Sequence, residues 1–263
     1  MSISIRKLME AGVHLGHRTA AWNPNARTFI HSARGGRHII DLPETKRSLR
    51  EACSFLRQSR RDNKTILFVG TKRRASEIIE AEARRCMVPY VNQKWVAGTL
   101  TNFEVIRERL DRLKALVWMF EMGEIFRCSK KEIADFFEER DDLEKHFGGI
   151  VDLKNRPDVL FVIDVSHEST AVREAVSQKI PIVGLVDTNS DPNNIDYVIP
   201  GNDDSTRSIR LVAGTIVDAI LDIDPPDFDD ETHGPDLNPS PVPKHPLPQD
   251  KSSEICISEP SSY

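Results

Sequence analysis

Two histidines near the N-terminus have the type and spacing to bind a phosphate group. The segment 14–17 (HLGH) matches the HxGH pattern, in which two imidazoles of nucleotidyl-transferring enzymes bind the phosphates of ATP. Such enzymes also need a lysine-rich loop, which the segment 129–132 (SKKE) matches poorly. The motif here precedes the first predicted strand, whereas the enzyme motif follows one. Catalysis at this motif is therefore the weaker interpretation.

Carboxylates and imidazoles that could bind a metal ion are present, but their spacing favours other roles. Asp164, Asp187 and Asp191 stand at or just beyond the ends of predicted strands, where α/β proteins bind ligands and where Mg²⁺ would find oxygen donors. No nucleophile or activating base accompanies them at a recognisable spacing, and the segment 187–192 (DTNSDP) is typical of a turn. Four N-terminal histidines offer further ligands: His14, His17, His31 and His38. Because their spacing matches no standard zinc site, we predict neither a metal nor a cofactor.

Cations and aromatic side chains in the first hundred residues favour a nucleic-acid partner. The segment 68–74 (FVGTKRR) places a glycine and three cations at a predicted helix start, where backbone N–H groups can hold a phosphate. It lacks the spacing of a Walker A loop, and a capped, solvated helix start is an equal alternative. Residues 18–27 combine arginines, amides and Trp22, and Trp95 follows Lys94 in KWVAGTLTNF. Cations on phosphates and aromatic rings on unpaired bases are how proteins hold structured RNA.

The net charge of -5 at pH 7 conceals a strong asymmetry along the chain. Residues 1–100 carry 19 lysines and arginines against 8 aspartates and glutamates, whereas residues 218–263 carry 2 against 11. A basic block of this size gains affinity for a polyanion by releasing counterions. The alternative is a solvent-exposed basic surface that binds no polyanion.

Composition excludes several classes of protein. The 263 residues are 39% hydrophobic and contain no apolar run long enough to cross a membrane, and residues 1–12 match neither a secretory signal nor an organelle presequence. The four cysteines lie far apart and form no CxxC pair: Cys53, Cys86, Cys128 and Cys256. A disulfide scaffold and a cysteine zinc finger are disfavoured, and we expect reduced thiols in a cytosol-like compartment.

Apolar runs that alternate with amphipathic segments predict an α/β fold. We expect strands at 65–70, 159–164, 180–187 and 195–200, and helices at 4–12, 44–61, 73–86, 168–178 and 205–221. Strands without polar alternation are typical of a parallel sheet whose two faces are both covered. The segment 13–29 is expected to be a loop.

The middle of the chain departs from this alternation. Apolar residues repeat there at intervals of three and four: Phe103, Ile106, Leu110, Leu113, Val117 and Phe120, then Ile133, Phe136, Leu143 and Phe147. Two such seams predict an antiparallel coiled-coil hairpin that projects from the sheet, although the seams could also pack flat on it. We therefore expect one α/β domain from residues 1–101 and 148–223, with a basic N-terminal half, and a hairpin inserted at 102–147. Nine of the sixteen prolines follow residue 224, so 224–263 are expected to form a disordered acidic tail.

Six blocks resemble, in the same order, the bacterial-type ribosomal protein S2 family. They are MEAGVHLGHRTAAWNPNARTFI, HIIDLPETKRSLREA, ILFVGTKRRASEIIEAEA, PYVNQKWVAGTLTNF, GGIVDLKNRPDVLFVIDVSHESTAVREA and IPIVGLVDTNSDPNNIDYVIPGNDDSTRSI. The HxGH motif belongs to the first block, which further disfavours an enzyme. The chain departs from the family at 95–98, where WVAG replaces WLGG, at 118–129 and in the tail.

The resemblance implies a Rossmann-like sheet with a protruding hairpin and a structural, non-enzymatic role in the small ribosomal subunit during translation. The protein's partners would be small-subunit rRNA and neighbouring ribosomal proteins, with ribosomal protein S1 among them in many bacteria. It would not bind a membrane. The ribosome would be that of a bacterial cytoplasm or of an organelle, in a plastid stroma or a mitochondrial matrix. The basic block supplies the expected rRNA contacts: Arg6, Lys7, Arg18, Trp22, Arg27, Arg34, Arg37, Lys72, Arg73, Arg74, Lys94 and Trp95. Burial at the base of the hairpin is an equal alternative for Trp95.

Two hypotheses therefore stand side by side. The favoured one is a ribosomal scaffold protein that binds rRNA through its basic N-terminal half. The other is a nucleotide-using α/β enzyme built on His14, His17 and the three aspartates.

Overall fold

The computed structural model describes residues 3–127 and 129–222, which form two β-sheets and seven α-helices. The strands are β1 (Leu15–Arg18), β2 (Ile30–Arg34), β3 (Arg37–Ile40), β4 (Ile66–Val69), β5 (Tyr90–Val91), β6 (Val159–Ile163), β7 (Ile182–Val186) and β8 (Tyr197–Pro200). The helices are α1 (Ile5–Glu10), α2 (Leu42–Arg61), α3 (Arg73–Cys86), α4 (Phe103–Glu121), α5 (Lys130–Phe147), α6 (Ser169–Ser177) and α7 (Thr206–Ile220). The predicted tail, 224–263, lies outside the described residues. No helix within the described ranges combines the length and apolarity needed to cross a bilayer.

The main sheet consists of parallel strands in the order β5, β4, β6, β7, β8. Alternate residues of each strand face opposite sides, so Ile66 and Phe68 pack with α2, α3 and α7, whereas Leu67 and Val69 pack with α4 and α6. Every residue of β4, β6 and β7 is buried. Burial on both faces explains the uninterrupted apolar runs, and the predicted Rossmann-like α/β class with flanking helices is confirmed.

Local sequence sets the limits of the helices. The Ser4 hydroxyl oxygen accepts a hydrogen bond from the backbone N–H of Lys7 at 3.3 Å, and α1 begins at the next residue. Ser129 and Glu132 form a capping box at the start of α5. Met87, with a left-handed φ of 53°, ends α3. All the predicted helices and strands of the α/β domain are present, and each ends within two residues of its expected limits.

A small antiparallel sheet, in the order β1, β3, β2, was missed by the sequence analysis. The expected loop at 13–29 is wrong where β1 begins. Gly35 and Gly36 join β2 to β3 with positive φ values of 58° and 75°, which a tight two-residue hairpin turn requires and which glycine adopts without strain. These short strands carry few apolar residues, so their sequence shows no alternation.

The small sheet is fixed to the main sheet by hydrogen bonds between distant parts of the chain. The backbone N–H of His17 donates to the Thr188 hydroxyl oxygen at 2.9 Å, and the N–H of Asn23 donates to the Thr188 carbonyl at 2.7 Å. Asn202 donates its side-chain amide to the Gly12 carbonyl at 3.1 Å. The small sheet therefore holds a fixed position beside the carboxyl-terminal edge of the main sheet.

Helices α4 and α5 run antiparallel, because later residues of α4 meet earlier residues of α5. The Arg112 guanidinium donates two hydrogen bonds to the Glu139 carboxylate, at 2.9 and 2.7 Å. The rings of Phe120 and Phe137 lie 4.4 Å apart between centroids. One continuous apolar cluster joins the start of α4 to the main sheet. The helices agree with the predicted seams in part: Leu116 is buried where Val117 was expected. The coiled-coil geometry, its projection and the division into domains stay predictions.

Candidate nucleic-acid interface

Three arginines lie side by side at one end of the small sheet, and we call them the arginine row. Arg37, the first residue of β3, pairs across the sheet with Arg18 of β1 and with Arg34 of β2. All three are exposed, and none has a carboxylate partner among the described residues. Like charges directly opposite each other on neighbouring strands destabilise a sheet. The arginine row therefore has the charge and the geometry to bind a polyanion.

Two further predicted residues lie close to the arginine row in the chain. The Trp22 ring is 37% exposed and its centroid lies 5.4 Å from that of His38, the neighbour of Arg37. Burial lowers the pKa of His38 and so favours its neutral ring. Arg27 is exposed in the short helical turn that precedes β2. An exposed aromatic face beside arginines suits an unpaired base.

The other predicted cations are spread over several elements. Arg6, on α1, is exposed and pairs with Glu10 at 3.0 Å, and Lys7 follows it half-buried. Arg73 is exposed at the start of α3, and Lys94 is exposed after β5. The predicted RNA-binding residues are therefore spread over several helices and strands. The arginine row holds the largest number of them side by side.

Lys72 lies in a cluster of carboxylates at the carboxyl-terminal edge of the main sheet. Its Nζ is 2.7 Å from Asp164 Oδ2, 3.1 Å from Asp203 Oδ1 and 2.8 Å from Asp204 Oδ1. These residues follow β4, β6 and β8, whose parallel carboxyl ends bring them together. Burial opposes the charge on Lys72, but the carboxylates raise its pKa above its ordinary value. Three carboxylates already bind the ammonium, which makes Lys72 less available to RNA than the exposed cations, and its contact with RNA stays a prediction.

His17 is part of the same cluster. Its Nδ1 lies 3.1 Å from Asp187 Oδ2, and its Nε2 lies 3.3 Å from Asp204 Oδ2. The hydrogen bond with Asp187 raises the pKa of His17, whereas burial lowers the pKa of His14. Burial also raises the pKa of Asp203 to about 7, and the charge of Asp187 adds to this effect. Carboxylates on both sides of His17 would repel the phosphates of ATP, which argues against a nucleotide site at the HxGH motif.

The residues considered for metal binding divide into two groups. His17, Asp187 and Asp203 each offer one donor atom within 4.8 Å of the others, and they are the group in the described ranges that could hold a metal ion. Lys72 already supplies a positive charge to Asp203 there. Asp191 lies elsewhere, where its Oδ1 accepts a hydrogen bond from the backbone N–H of Asn193 at 3.1 Å. The turn interpretation is therefore confirmed for Asp191.

The start of α3, where a phosphate site and a capped helix start were equal alternatives, carries contacts to the protein's own acidic residues. Glu168, which is 3% exposed, accepts hydrogen bonds from the backbone N–H and the hydroxyl of Thr71, both at 2.7 Å. The Arg74 guanidinium donates to the carbonyl oxygen of Asp204 at 2.6 Å. The N–H of Thr71 is therefore already bonded to a carboxylate, and Arg73 is exposed at this helix start.

Trp95 is buried, with 9% of its surface exposed, and does not present its ring to solvent. Its Nε1 donates to Glu174 Oε1 at 3.1 Å, and the backbone N–H groups of Gly98 and Leu100 donate to the same carboxylate at 2.8 and 2.9 Å. Burial at the base of the hairpin, the alternative for Trp95, is therefore what the structure shows. Sequence analysis missed Glu174, although a single acid on the apolar face of a predicted helix was a usable signal.

Sequence analysis also missed a set of cations at the base of the hairpin. Arg107 of α4 lines an open groove of about 450 Å³ together with Lys154 and Arg156. Glu104 lines the same groove, so its carboxylate offsets part of the charge of the three cations.

Comparison with known proteins assigns the chain to a family. The family model of ribosomal protein S2 matches residues 8–222. The chain belongs to the ribosomal protein S2 family. It is 46% identical over 220 residues to small ribosomal subunit protein uS2 of Coprothermobacter proteolyticus, and the alignment covers 84% of this chain and 82% of that protein.

Membership of the S2 family fixes the class of the protein. It is a structural, non-enzymatic protein of a bacterial-type small ribosomal subunit, located in the ribosome, with a role in translation. The hypothesis of a nucleotide-using enzyme built on His14, His17 and three aspartates is therefore wrong.

Proposed function

We propose that this S2-family protein binds small-subunit rRNA through the arginine row, with Trp22 and Arg27 beside it. The observation that carries the proposal is the register of the small sheet, which sets Arg18, Arg37 and Arg34 next to one another without carboxylate partners among the described residues. Guanidinium groups donate two parallel hydrogen bonds to a phosphate, and phosphate lying between them relieves their mutual repulsion.

The way the small sheet is held supports this role. Thr188 accepts one hydrogen bond from His17 of β1 at 2.9 Å and one from Asn23, between β1 and β2, at 2.7 Å. The arginine row lies on a sheet that is fixed to the main domain. The backbone that carries the arginines therefore loses little conformational freedom when RNA binds. Arg6, Lys7, Arg73, Arg74 and Lys94 stay predicted contacts outside the arginine row.

Protein partners would use the helical hairpin. Two large apolar side chains near the end of α4 are exposed to solvent, Trp118 at 50% and Met122 at 62%. Aromatic residues and methionines are enriched in protein interfaces. We propose that neighbouring small-subunit proteins contact this end of α4, and docking of ribosomal protein S1 stays a prediction.

The arginine row can be tested with the double substitution Arg34→Gln and Arg37→Gln. A matched control is Arg47→Gln with Arg173→Gln, which removes two exposed arginines from α2 and α6. Affinity for a small-subunit rRNA fragment is measured as a function of salt concentration. On a duplex, each lost phosphate contact reduces the slope of log affinity against log salt concentration by about 0.9. The arginine-row variant is therefore expected to have a slope that is shallower by roughly 1.5 to 2. An unchanged slope, or equal losses in the control, would contradict the proposal.

A further inference from the structure

The groove at the base of the hairpin is lined by two segments of the chain, and we call it the hairpin-base groove. Residues 101–104 and Arg107 line it at the start of α4, and residues 154–156 line it from the segment that follows α5. Its volume of about 450 Å³ falls within the roughly 300–1,000 Å³ of typical ligand sites. A ligand that fills the groove therefore touches the chain both where it enters the helical hairpin and after it leaves.

The cations of the hairpin-base groove are not paired with carboxylates. Arg107 and Lys154 are exposed, and neither has an ion-pair partner within the described ranges. Arg156 is also exposed and donates a hydrogen bond to the neutral side-chain oxygen of Gln178, which leaves its charge uncompensated. Glu104 is the one acid of the lining, and no cation among the described residues lies within ion-pairing distance of it. Three cations against one carboxylate leave the lining with a net charge of +2.

The same two segments pair opposite charges next to the groove but not inside it. Lys114, seven residues after Arg107 and therefore on the same face of α4, lies 3.9 Å from Asp152. In the groove, by contrast, Arg107 shares the space with Lys154 and Arg156, so the two segments contribute like charges. A cleft lined mainly by charges of one sign concentrates the electrostatic potential. An anion between the two segments would replace their repulsion with attraction.

We propose that the hairpin-base groove binds a phosphate of an RNA backbone between its two segments. The guanidinium groups of Arg107 and Arg156 can each donate two parallel hydrogen bonds to a phosphate, and the Lys154 ammonium adds a further charged donor. RNA is favoured over an acidic protein segment because the chain belongs to a family of small-subunit ribosomal proteins. Bound RNA then links the entry of the hairpin to the segment that follows it and fixes the hairpin on the main domain. The proposal rests on the proposed role in rRNA binding, but not on the arginine row.

The first measurement locates the RNA by amide hydrogen exchange, followed by mass spectrometry on the full chain. The probe is a fluorescent twelve-nucleotide polyuridylate, and a twelve-residue polyglutamate of about equal charge is the comparison. The N–H groups in the first turn of α4 have no acceptor within the helix, so they exchange readily when nothing is bound. We expect polyuridylate to slow exchange in both segments, 101–107 and 154–156, and polyglutamate to slow it less.

The second measurement is the affinity for polyuridylate by fluorescence anisotropy at 0.15 M salt. The groove variant is Arg107→Gln with Lys154→Gln. Its matched control, Arg109→Gln with Lys145→Gln, also removes one exposed arginine and one exposed lysine. Arg109 does not face the same side as Arg107, because residues two apart on a helix are not neighbours. A third variant, Glu104→Gln, removes the one acid of the lining.

All these chains also carry Arg34→Gln and Arg37→Gln, so that the arginine row does not contribute to the measured affinity. If the arginine row does not bind RNA, these two substitutions alone leave the affinity of the wild-type chain unchanged. The comparison between the groove variant and its control keeps its meaning in that case. Failure of the arginine row and failure of the groove are therefore distinguished.

The groove variant is expected to bind polyuridylate roughly 5- to 15-fold more weakly, since each phosphate contact with a single strand adds about 0.7 to the salt slope of the affinity. The control should change the affinity less than twofold, and Glu104→Gln should raise it about twofold. Equal losses in the groove variant and the control would overturn the proposal. It would also be overturned if exchange slowed in neither segment or in only one of them. Equal slowing by polyglutamate would assign the groove to an acidic protein segment instead of RNA.

Discussion

The substitution Glu174→Gln removes a negative charge from the carboxylate on which the entry to the helical hairpin is built. Oε1 of Glu174 accepts hydrogen bonds from Trp95 Nε1 at 3.1 Å and from the Gly98 N–H at 2.8 Å. Oε2 accepts from the Leu100 N–H at 2.9 Å and from the N–H and hydroxyl of Thr101, both at 3.2 Å. Glutamine keeps the shape of the side chain but has one acceptor oxygen, and its NH₂ group faces donors.

The expected loss of stability follows from the number of donors left without an acceptor. Whichever way the amide of glutamine is turned, at least two of the five hydrogen bonds to Glu174 are lost. A hydrogen bond to a charged group contributes about 1.5–3 kcal/mol, and an unsatisfied buried donor costs a similar amount. We expect the free energy of unfolding to fall by about 3 kcal/mol, which is a large part of the roughly 5–15 kcal/mol of a typical domain.

The same site predicts a dependence on pH. Burial alone would raise the pKa of Glu174, but the hydrogen bonds from Leu100 and Gly98 outweigh it and lower the pKa. A carboxyl group with a lower pKa in the folded state stabilises the fold above its unfolded pKa, about 4.3, and this stabilisation is lost as the pH falls through the folded value. The wild-type chain should therefore lose stability on acidification, and the Glu174→Gln chain should lose less.

Urea unfolding followed by circular dichroism measures both effects, at pH 7 and at pH values below 4.5. The matched control is Glu77→Gln, which changes an exposed acid on α3 and is expected to alter the free energy of unfolding by less than about 0.5 kcal/mol. A loss below about 1 kcal/mol for Glu174→Gln at pH 7 would refute the reasoning, because it would mean that the donors find water or other acceptors at no cost. An equal acid sensitivity of the two chains would refute the pKa argument.

Three further substitutions test other parts of the fold by urea unfolding. Lys72→Met leaves the carboxylates around it without their cation and is expected to cost about 3–5 kcal/mol at pH 7; the cost should be smaller at pH 5, where Asp203, with a pKa of about 7, is protonated. Gly149→Ala would place a Cβ against the Tyr90 carbonyl oxygen, closer than van der Waals contact allows. The free energy of unfolding is expected to fall by more than about 2 kcal/mol. An unchanged free energy of unfolding would mean that the backbone moves freely there. Gly214→Ala, in α7 with its nearest atom at 3.7 Å, should instead stabilise the chain by about 0.5–1 kcal/mol.

The main sheet could be predicted from sequence because its strands are buried on both faces. The run VLFVI at 159–163 has no polar residue, and all five positions are buried. The small sheet could not be predicted in the same way. Its strand LGHR at 15–18 has one buried residue, and its position depends on Thr188 and Asn202, which lie far along the chain. Neither periodicity nor local propensity can show such partners.

The candidate site was predicted in composition but not in arrangement. Charge counting identified a basic N-terminal half, and the register of the small sheet then selected Arg18, Arg34 and Arg37 from it. The sequence could not show the carboxylate partners of Lys72 and Trp95, because these carboxylates belong to strand ends and to a helix that come much later in the sequence. Long-range polar pairs of this kind leave no periodic signal in a single sequence.

The anchoring of the small sheet has a consequence for the protein's biosynthesis. His17 and its partner Thr188 are separated by 171 residues. At about 5–20 residues per second, a ribosome needs roughly 10 to 30 s to add this length of chain. During that time the N-terminal arginines have left the ribosome but lack the contacts that fix their sheet. The nascent chain therefore acquires its native basic surface only near the end of its own synthesis, and not in the order in which its residues emerge.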